Sequence, residues 1–407
     1  MIRLETALLE GLGRLDATAA VFTGVQVDSR RIVQGDLFVA VGRGEDFLAD
    51  ARERGAAATL LPDDAFTALA EIAGAVRDRS AARVVGITGS MGKTSTKDIL
   101  AALCMPSAST IAAEASYNNE IGVPLTLCRL DPNTEVCILE LAMRGFGQIA
   151  ALCEVARPEI GVITNIGPVH LGLVESIDGV RRAKGELVDA LPPGGTAIVP
   201  ADFPVARDDI HVVRTGDPNT TVTDGRTEVA GVSFNFTARH QAQNAAAALA
   251  ALAALGLPRP ARVDVDFSRW RGDEHELPGG GLLINDAYNA NPVSMRAALA
   301  YLGERAGERR RVAILGDMAE LGRTARQYHH EVGEAAAALG VDELLAVGEL
   351  AREYLDGGVP GRWVPNVHEA VRELPDVVRP GDAVLVKASR AVGLEAVATA
   401  LTELTTA

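Results

Sequence analysis

The segment Arg83-Val-Val-Gly-Ile-Thr-Gly-Ser-Met-Gly-Lys-Thr94 determines the expected fold. Its apolar first half predicts a strand over 83–88, and a helix is predicted to begin near Lys93. A glycine loop between a strand and a helix suits phosphate binding, because backbone N–H groups and the positive helix N-terminus both face the anion. A lysine at the end of such a loop reaches the terminal phosphates, and the next hydroxyl can bind Mg²⁺. The phosphate-contacting residues are therefore predicted to be Gly89, Ser90, Met91, Gly92, Lys93, Thr94 and Ser95.

The chain beyond this segment continues to alternate strand and helix patterns. Short apolar runs at 136–141 and 159–164 are typical of strands that are covered on both faces. Residues 241–255 have a strong helical pattern, and a break is predicted at 271–281. After the break, four strand patterns alternate with helices, which favours a parallel, doubly wound sheet. These four strands are predicted at 282–286, 311–316, 343–348 and 383–387.

The patterns are weaker in two other parts of the chain. Residues 1–80 mix strands with helices, and residues 215–228, rich in Thr, Asp and Gly, are expected to form a loop or a small hairpin. The fold class that follows from the whole chain is α/β. In the first 80 residues the strands are predicted at 21–27 and 36–41, and the helices at 46–55 and 63–79.

The composition limits the function classes open to the chain. With 39 basic and 54 acidic residues among 407, the net charge is −15. Non-specific binding to nucleic acid or to anionic membranes is disfavoured, because both need a positive surface. The N-terminus lacks a signal-peptide pattern, and the longest apolar run, 245–257, is shorter than the roughly 20 residues that span a bilayer. We therefore expect a cytoplasmic protein that neither inserts into membranes nor binds nucleic acid.

The cysteines give no sign of a disulfide framework or of a structural zinc site. None of the four belongs to a C-x-x-C pair or has ligand-like spacing to a histidine. Reduced thiols, as in the cytosol, are the expectation for this pattern. The four are Cys104, Cys128, Cys137 and Cys153.

Polar residues stand at the ends of several predicted strands. Glu140 ends one apolar run, and His170 follows the next through a short Gly-Pro loop. In open α/β sheets ligands bind at the carboxyl ends of the strands, which places both residues near the expected site. Taken alone, each also fits an ordinary surface or core role. At the end of the last predicted strand, groups that could dock an anionic substrate are Lys387, Ser389 and Arg390.

One loop near the predicted break combines structural and unexplained polar residues. Asn291 and Pro292 fit a helix N-cap followed by the first helical position. Capping does not account for Tyr288 and Asn289, so these two become candidate binding residues.

Motifs that occur in a common order along nearly the whole chain resemble the Mur ligases, the amide-forming enzymes of peptidoglycan precursor synthesis. Within that family they resemble the member that adds D-alanyl-D-alanine. The motifs are Gly86-Ile-Thr-Gly-Ser-Met-Gly-Lys-Thr-Ser-Thr-Lys97, Tyr117-Asn-Asn-Glu-Ile-Gly-Val-Pro124, Leu139-Glu-Leu141, Ile163-Thr-Asn-Ile-Gly-Pro-Val-His170, Ala183-Lys-Gly-Glu-Leu187, Asp286-Ala-Tyr-Asn-Ala-Asn-Pro292, Gly316-Asp-Met-Ala-Glu-Leu-Gly322 and Val386-Lys-Ala-Ser-Arg390. Asp28-Ser-Arg30 and Gly35-Asp-Leu-Phe38 resemble the family's nucleotide-sugar domain.

The resemblance implies three domains and a defined reaction. The domains would be a small α/β nucleotide-sugar domain (1–80), a central P-loop ATPase with a parallel sheet (81–273) and a C-terminal Rossmann-like doubly wound domain (274–407). ATP would phosphorylate the terminal carboxylate of a UDP-N-acetylmuramoyl tripeptide. The amine of D-alanyl-D-alanine would then attack the acyl phosphate, and a tetrahedral intermediate would collapse to an amide, ADP and phosphate. The cofactor would be Mg²⁺, and we expect a monomer.

The resemblance also implies roles for individual residues. Catalytic roles fall to Lys93, Lys184, His170 and Asn119. Mg²⁺ would be held by Thr94, Glu140, His170 and Lys184, the last after CO₂ converts it to a carbamate. Further ATP contacts would be Asn244, Arg271 and Asp286. Substrates would be bound by Asp28, Ser29, Arg30, Tyr288, Asn289, Asn291, Lys387, Ser389 and Arg390.

Two other functions share parts of these patterns. A folylpolyglutamate-type ligase or another Mur-type ligase would share the ATP loop but not the Tyr-Asn-Ala-Asn-Pro segment. A nucleotide switch without ligation would share the loop but would need no closing substrate domain. The chain also departs from the family where Gln241 replaces the usual asparagine and Ala388 the usual glycine.

Overall fold

The computed structural model describes residues 1–114, 116–268 and 272–403. These residues fold into two compact units. The first unit comprises Met1–Asn165, Arg182–Thr237 and Gln241–Asp266, and the second comprises Ile166–Arg181, Ala238–His240 and the described part of Phe267–Ala407. In the described ranges, no helix combines the length and the apolar character needed to cross a membrane.

The first 80 residues form two small sheets and two helices in the first unit. The elements are β1 (Leu4–Glu5), β2 (Gly13–Ala17), β3 (Val21–Phe22), β4 (Gly24–Gln26), β5 (Asp36–Val39), α1 (Leu48–Glu53), β6 (Ala58–Pro62) and α2 (Ala65–Asp78). A four-stranded sheet has the order β2-β6-β5-β4, and β1 pairs with β3. Helix α2 begins where the Asp64 carboxylate accepts the Thr67 N–H (2.7 Å), and its apolar side, including Leu69 and Ile72, is buried. The predicted strands and helices of this region are present in shorter form.

A parallel six-stranded sheet forms the centre of the first unit. Its strands are β7 (Arg83–Thr88), β8 (Thr110–Ala112), β9 (Val136–Glu140), β10 (Ile160–Ile163), β11 (Thr196–Pro200) and β12 (His211–Thr215), in the order β12-β11-β10-β7-β9-β8. Ile87 of β7 is paired with Glu140, and Thr88 is paired with Ile163. Three strands therefore end at one edge of the sheet, and β7 runs between the other two. The helices of this stretch are α3 (Lys93–Cys104), α4 (Gly122–Leu127), α5 (Gln148–Ala156), α6 (Leu171–Val174) and α7 (Ile177–Asp189).

A small sheet and a long helix complete the first unit. The elements are β13 (Thr220–Thr223), β14 (Arg226–Val229), β15 (Val232–Phe234), α8 (Arg239–Ala254) and β16 (Arg262–Val263). The β13–β14 pair is a hairpin, with Asp224 and Gly225 at positive φ in its turn. This confirms the hairpin alternative predicted for 215–228. Helix α8 packs many alanines against the unit's core, which permits close approach of its backbone.

The second unit contains a six-stranded sheet with helices on both faces. Its elements are β17 (Asp273–Leu277), β18 (Gly281–Asn285), α9 (Pro292–Ala306), β19 (Arg311–Gly316), α10 (Ala325–Ala338), β20 (Glu343–Val347), β21 (Gly361–Val364), α11 (Val367–Val377), β22 (Ala383–Lys387) and α12 (Glu395–Glu403). On β19, Ala313 and Leu315 face a core shared with α9 and α10, whereas Val312 and Ile314 face a core shared with α11 and α12. Two opposite cores confirm the predicted doubly wound arrangement.

The predicted parallel arrangement is confirmed for the four predicted strands, which correspond to β18, β19, β20 and β22, but the predicted break at 271–281 contains a further strand. The sheet order is β17-β18-β22-β19-β20-β21, and β17 runs antiparallel to β18 within the predicted break. Strand β17 lies at the edge of the sheet, and three of its five residues are exposed. An exposed edge strand has no need of apolar alternation, so its charged sequence has the composition of a linker.

Candidate active site

The loop between β7 and α3 requires glycine at two positions. Gly89 has φ +150° and Gly92 has φ +78°. A Cβ at Gly89 would lie 1.8 Å from Thr164 Oγ1, and one at Gly92 would lie 2.3 Å from Asn244 Oδ1. The backbone can therefore turn here only without side chains, and it leads directly into the N-terminus of α3. The Lys93 ammonium donates to the carbonyl of Gly89 (2.9 Å), which holds it over the same loop.

Residues following β10 clamp this loop from the neighbouring strand. The Asn165 carboxamide accepts the Met91 N–H (3.0 Å) and donates to the Met91 carbonyl (3.1 Å). The Asn165 carbonyl accepts the Ser90 N–H (3.1 Å), and the Thr164 hydroxyl also donates to Met91 (2.5 Å). Both residues stand in the motif Ile163–His170, but the sequence alone assigns them no role, because they act through contact with a loop more than 70 positions away.

A buried carboxylate lies beside the loop at the end of β9. The exposed fraction of Glu140 is 1%, and that of Thr94 is 3%. Thr94 Oγ1 donates to Glu140 Oε2 (2.8 Å), and Asn118 Nδ2 donates to Glu140 Oε1 (2.9 Å). A carboxylate and a hydroxyl are the oxygen donors that Mg²⁺ prefers alongside water, so this pair fits the metal. Within the described ranges, no group of three His, Cys, Asp or Glu side chains could hold a metal.

Lys184 is buried on α7, with 2% of its surface exposed. Burial lowers its pKa well below the ordinary value, and the positive charge of Lys93 lowers this pKa further. Two arginines that precede it on α7 have other partners: Arg181 is bonded to Asp178, and Arg182 stacks over the Phe146 ring. Burial and the charge of Lys93 therefore disfavour the charged ammonium form of Lys184.

Two amide side chains of α8 approach the other side of the loop. Asn244 lies against Gly92, and its Nδ2 donates to Gln241 Oε1 (2.9 Å). Gln241 Nε2 donates to Ser95 Oγ on α3 (3.4 Å). Gln241, left unassigned in the sequence analysis, thus connects the predicted adenine-contacting asparagine to the phosphate-loop helix. Asn119 Oδ1 accepts the Gly122 N–H at the start of α4 (3.0 Å).

The predicted nucleotide-sugar residues form a short turn in the N-terminal part of the first unit. Asp28 accepts the Arg30 backbone N–H (3.0 Å) and two bonds from the Arg30 guanidinium (2.9 and 2.7 Å). These contacts lower the pKa of Asp28 to about 2. Ser29 is buried within the turn, whereas Arg30 is exposed.

In the second unit, the predicted substrate residues surround a buried lysine at the end of β22. Lys387 donates to the Asp286 carboxylate (2.5 Å) and to the Asn289 carbonyl (2.8 Å). Ser389 Oγ accepts the Ala319 N–H (2.8 Å). The structure therefore brings four of the predicted residues or their loops together at one sheet edge, as expected for a ligand site in an open α/β sheet.

Two other residues of this region, Asn291 and Arg390, have clear partners. Asn291 caps α9: its Oδ1 accepts the Ser294 N–H (2.9 Å), the Ser294 hydroxyl accepts the Asn291 N–H (3.0 Å), and Pro292 is the first helical residue. This confirms the predicted N-cap. Arg390 is half exposed and paired with Glu395 (2.9 Å), and Tyr288 is partly buried.

The remaining two predicted residues cannot be placed in either cluster. His170 belongs to the second unit, where its Nδ1 is hydrogen-bonded to the Glu320 carboxylate. Arg271 lies outside the described residues. Their assignments to Mg²⁺ and to ATP therefore stay predictions.

The fold and the loop define a class of protein. The inner strand of a parallel sheet leads here into a glycine loop, with a lysine above the loop and a buried hydroxyl–carboxylate pair beside it. This arrangement is typical of P-loop nucleotide-binding proteins. Residues 87–215 match the family described as Mur ligase middle domain, and residues 272–390 match the one described as Mur ligase, glutamate ligase domain. The chain belongs to the Mur ligase family, which confirms the resemblance.

Individual relatives extend over nearly the full length. The chain is 35% identical to the UDP-N-acetylmuramoyl-tripeptide–D-alanyl-D-alanine ligase of Synechocystis sp., over 92% of this chain and 90% of that protein. The structure is similar to that of MurF from Acinetobacter baumannii, with a TM-score of 0.87 and 27% identity over 98% of this chain and 99% of that one. It is also similar to MurF from Thermotoga maritima in complex with ADP, with a TM-score of 0.80 and 26% identity over 93% and 97%.

Proposed function

We propose that this protein is an ATP-dependent amide ligase that joins D-alanyl-D-alanine to UDP-N-acetylmuramoyl tripeptide. The γ-phosphoryl group passes from ATP to the terminal carboxylate of the tripeptide, releasing ADP. The dipeptide amine attacks the resulting acyl phosphate, and loss of phosphate leaves the amide. Relatives that carry the name of this ligase, and that match over nine-tenths of the chain, support this choice of substrates.

The first step brings two anions together, so its barrier is mainly electrostatic. Lys93, held above the Gly89 carbonyl, and the glycine-loop N–H groups would neutralise the triphosphate. Thr94 and Glu140 would hold Mg²⁺, with His170 as a further ligand. When bound, Mg²⁺ would supply positive charge that offsets the charge developing on the transferred group.

Lys184 has the environment that carbamate formation requires. Addition of CO₂ forms an N–C bond from the neutral amine and releases a proton to water, and burial together with Lys93 favours that neutral amine. Burial of the Lys184 amine is the single observation that carries the proposed ligase function, because an ordinary solvated lysine would keep its ammonium group exposed to water. Lys184→Ala should be inactive and partly rescued by short carboxylates, and wild-type activity without additives would contradict a carbamate.

The remaining assignments concern substrates and domains. Asp28, Ser29 and Arg30 would contact the nucleotide sugar, Asn119 the γ-phosphate region, and Asn244, Arg271 and Asp286 the nucleotide. The substrate set in the C-terminal half would be Tyr288, Asn289, Asn291, Lys387, Ser389 and Arg390. We propose domain limits of 1–80, 81–273 and 274–407, and a monomer that acts in the cytoplasm.

Phosphate release, measured with each reactant withheld in turn, tests the proposed function. We expect release from ATP to require both the peptidyl nucleotide sugar and the dipeptide, with the amide product visible by mass spectrometry. Release that requires glutamate and a folate instead would indicate a folylpolyglutamate-type ligase. Hydrolysis that needs neither substrate would indicate a nucleotide switch.

A further inference from the structure

Arg31 connects the predicted nucleotide-sugar turn to the segment that carries Asn118. Arg31 is the last residue of the short 3₁₀ turn Ser29–Arg31. The residue before it, Arg30, is hydrogen-bonded to the Asp28 carboxylate. The Arg31 guanidinium donates from Nη1 to the Tyr117 hydroxyl (3.2 Å) and from Nη2 to Glu114 Oε2 (3.0 Å). Both contacts lie within the first unit and are 86 and 83 residues distant in sequence. One side chain thus bridges two distant parts of the chain.

Tyr117 is coupled tightly to the carboxylate at the end of β9. A Cβ at Gly122 would lie 2.5 Å from Tyr117 Cα, so the Tyr117 backbone packs directly against the start of α4. The next residue, Asn118, donates to Glu140 Oε1 (2.9 Å), and its carbonyl accepts the Ala142 N–H (2.8 Å). A shift of Tyr117 must therefore displace the amide that orients Glu140.

We propose that Arg31 is a positioning residue that transmits occupancy of the nucleotide-sugar turn to the metal-binding carboxylate. A nucleotide sugar held at residues 28–30 orders the turn, and Arg31 then fixes Tyr117 and Asn118, so that Glu140 presents its oxygens in one orientation. The consequence is that the nucleotide sugar and the divalent cation bind cooperatively. This inference rests on the proposed function, since it takes residues 28–30 as sugar-nucleotide contacts and Glu140 as a cation ligand.

The bridge is suited to orientation and contributes little to stability. Arg31 is 46% exposed and Glu114 is 40% exposed, and exposed ion pairs add little to the free energy of unfolding. A planar guanidinium, however, can donate to two acceptors in a fixed geometry, which an ammonium group cannot. Loss of Arg31 should therefore change cation binding while leaving the unfolding transition nearly unchanged.

Manganese binding provides a readout that does not depend on turnover. Binding of Mn²⁺ to the full-length protein with ADP is followed by electron paramagnetic resonance, with and without UDP-N-acetylmuramoyl tripeptide. In the wild type we expect the nucleotide sugar to tighten Mn²⁺ binding about 3- to 10-fold, the effect of one net hydrogen bond, and Mn²⁺ to tighten nucleotide-sugar binding by the same factor. Arg31→Ala, Arg31→Lys and Tyr117→Phe should each remove most of this coupling. The double variant Arg31→Ala/Tyr117→Phe should lose no more coupling than either of its single variants. Arg14→Lys, at an exposed pair with Glu45, is the matched control and should keep the coupling.

The outcomes separate this inference from the proposed function. If Arg31→Ala raises only the KM for the nucleotide sugar, with Mn²⁺ binding unchanged and Tyr117→Phe silent, Arg31 is a plain substrate contact and the inference fails. The inference also fails if the wild type ligates normally but shows no coupling. If the wild type makes no amide from the three reactants, the proposed function fails, whatever the Mn²⁺ measurements give.

Discussion

Replacing Thr94 with valine removes one hydroxyl from the centre of the site while keeping the shape of the side chain. That hydroxyl donates to Glu140 Oε2 (2.8 Å), and both residues are almost fully buried. A hydrogen bond to a charged group contributes about 1.5–3 kcal/mol, and a buried acceptor left without its donor costs a similar amount. Asn118 still serves the other carboxylate oxygen, so the loss is limited to one bond. We expect the free energy of unfolding to fall by about 1.5–3 kcal/mol in the absence of metal.

Urea denaturation in EDTA, with the slope compared between variants, measures this loss. Thr94→Ser keeps the hydroxyl and should stay within about 1 kcal/mol of the wild type. Thr221→Val, at an exposed position of β13, controls for the change of side chain itself. With Mg²⁺ and all reactants present, Thr94→Val should lose ligation and Thr94→Ser should retain it. A valine variant as stable as the serine variant would refute the hydrogen-bond argument, and full ligation by the valine variant would remove Thr94 from the metal site.

Three further predictions concern the loop and the two buried lysines. Lys184→Met should abolish ligation yet raise the thermal midpoint of the CO₂-free protein at pH 7. Because the pKa of Lys184 is lowered in the folded state, the folded wild type binds fewer protons than the unfolded chain. The wild type therefore loses stability as the pH falls from 10.5. The difference in midpoint between the two proteins should therefore shrink on raising the pH, and a constant difference would contradict the lowered pKa. Gly92→Ala should weaken ADP binding measured by calorimetry, because the position has φ +78° and the new Cβ would meet the Asn244 side-chain oxygen. Gly194→Ala, at φ +77° but in open space, should bind ADP normally. Equal ADP binding by both variants would refute the steric argument. Lys387→Met should lower the free energy of unfolding by about 3 kcal/mol because it leaves the Asp286 carboxylate without its ion-pair partner. The double variant with Asp286→Asn should recover part of this loss. Strictly additive losses would show that the 2.5 Å pair is not coupled.

Strands that are covered on both faces could be predicted almost to the residue. The bounds of β7, β19 and β22 coincide with apolar runs in the sequence, because burial on both faces leaves no place for a polar residue. Exposed edge strands gave no such signal. Strand β12 exposes four of its five residues, and β17 exposes three, so their sequences have the composition of loops.

The site divides in the same way between local and distant interactions. The glycine loop could be predicted because strand, turn and helix are consecutive in sequence. The contacts of Asn165 and Gln241 with that loop span 74 and 146 residues, and no periodicity in one sequence reveals them. Lys184 is the clearest case: charged residues surround it in sequence, as on a solvated helix, yet among the charged residues of 181–186 only Lys184 is buried.

The charges of the site explain why its lysines must differ in protonation. The chain carries a net charge of −15 and its proposed reactants are anions, so the long-range field opposes binding; at physiological ionic strength it is screened beyond about 8 Å. Binding then depends on the charged groups close to the glycine loop. There, burial and the positive charge of Lys93 both lower the pKa of Lys184, so a second ammonium group is disfavoured. Conversion of that amine to a carbamate would reverse the interaction with Lys93 from repulsion to attraction and add an oxygen ligand beside Thr94 and Glu140. The same buried position would thus disfavour a cation before the metal binds and supply an anion when it does.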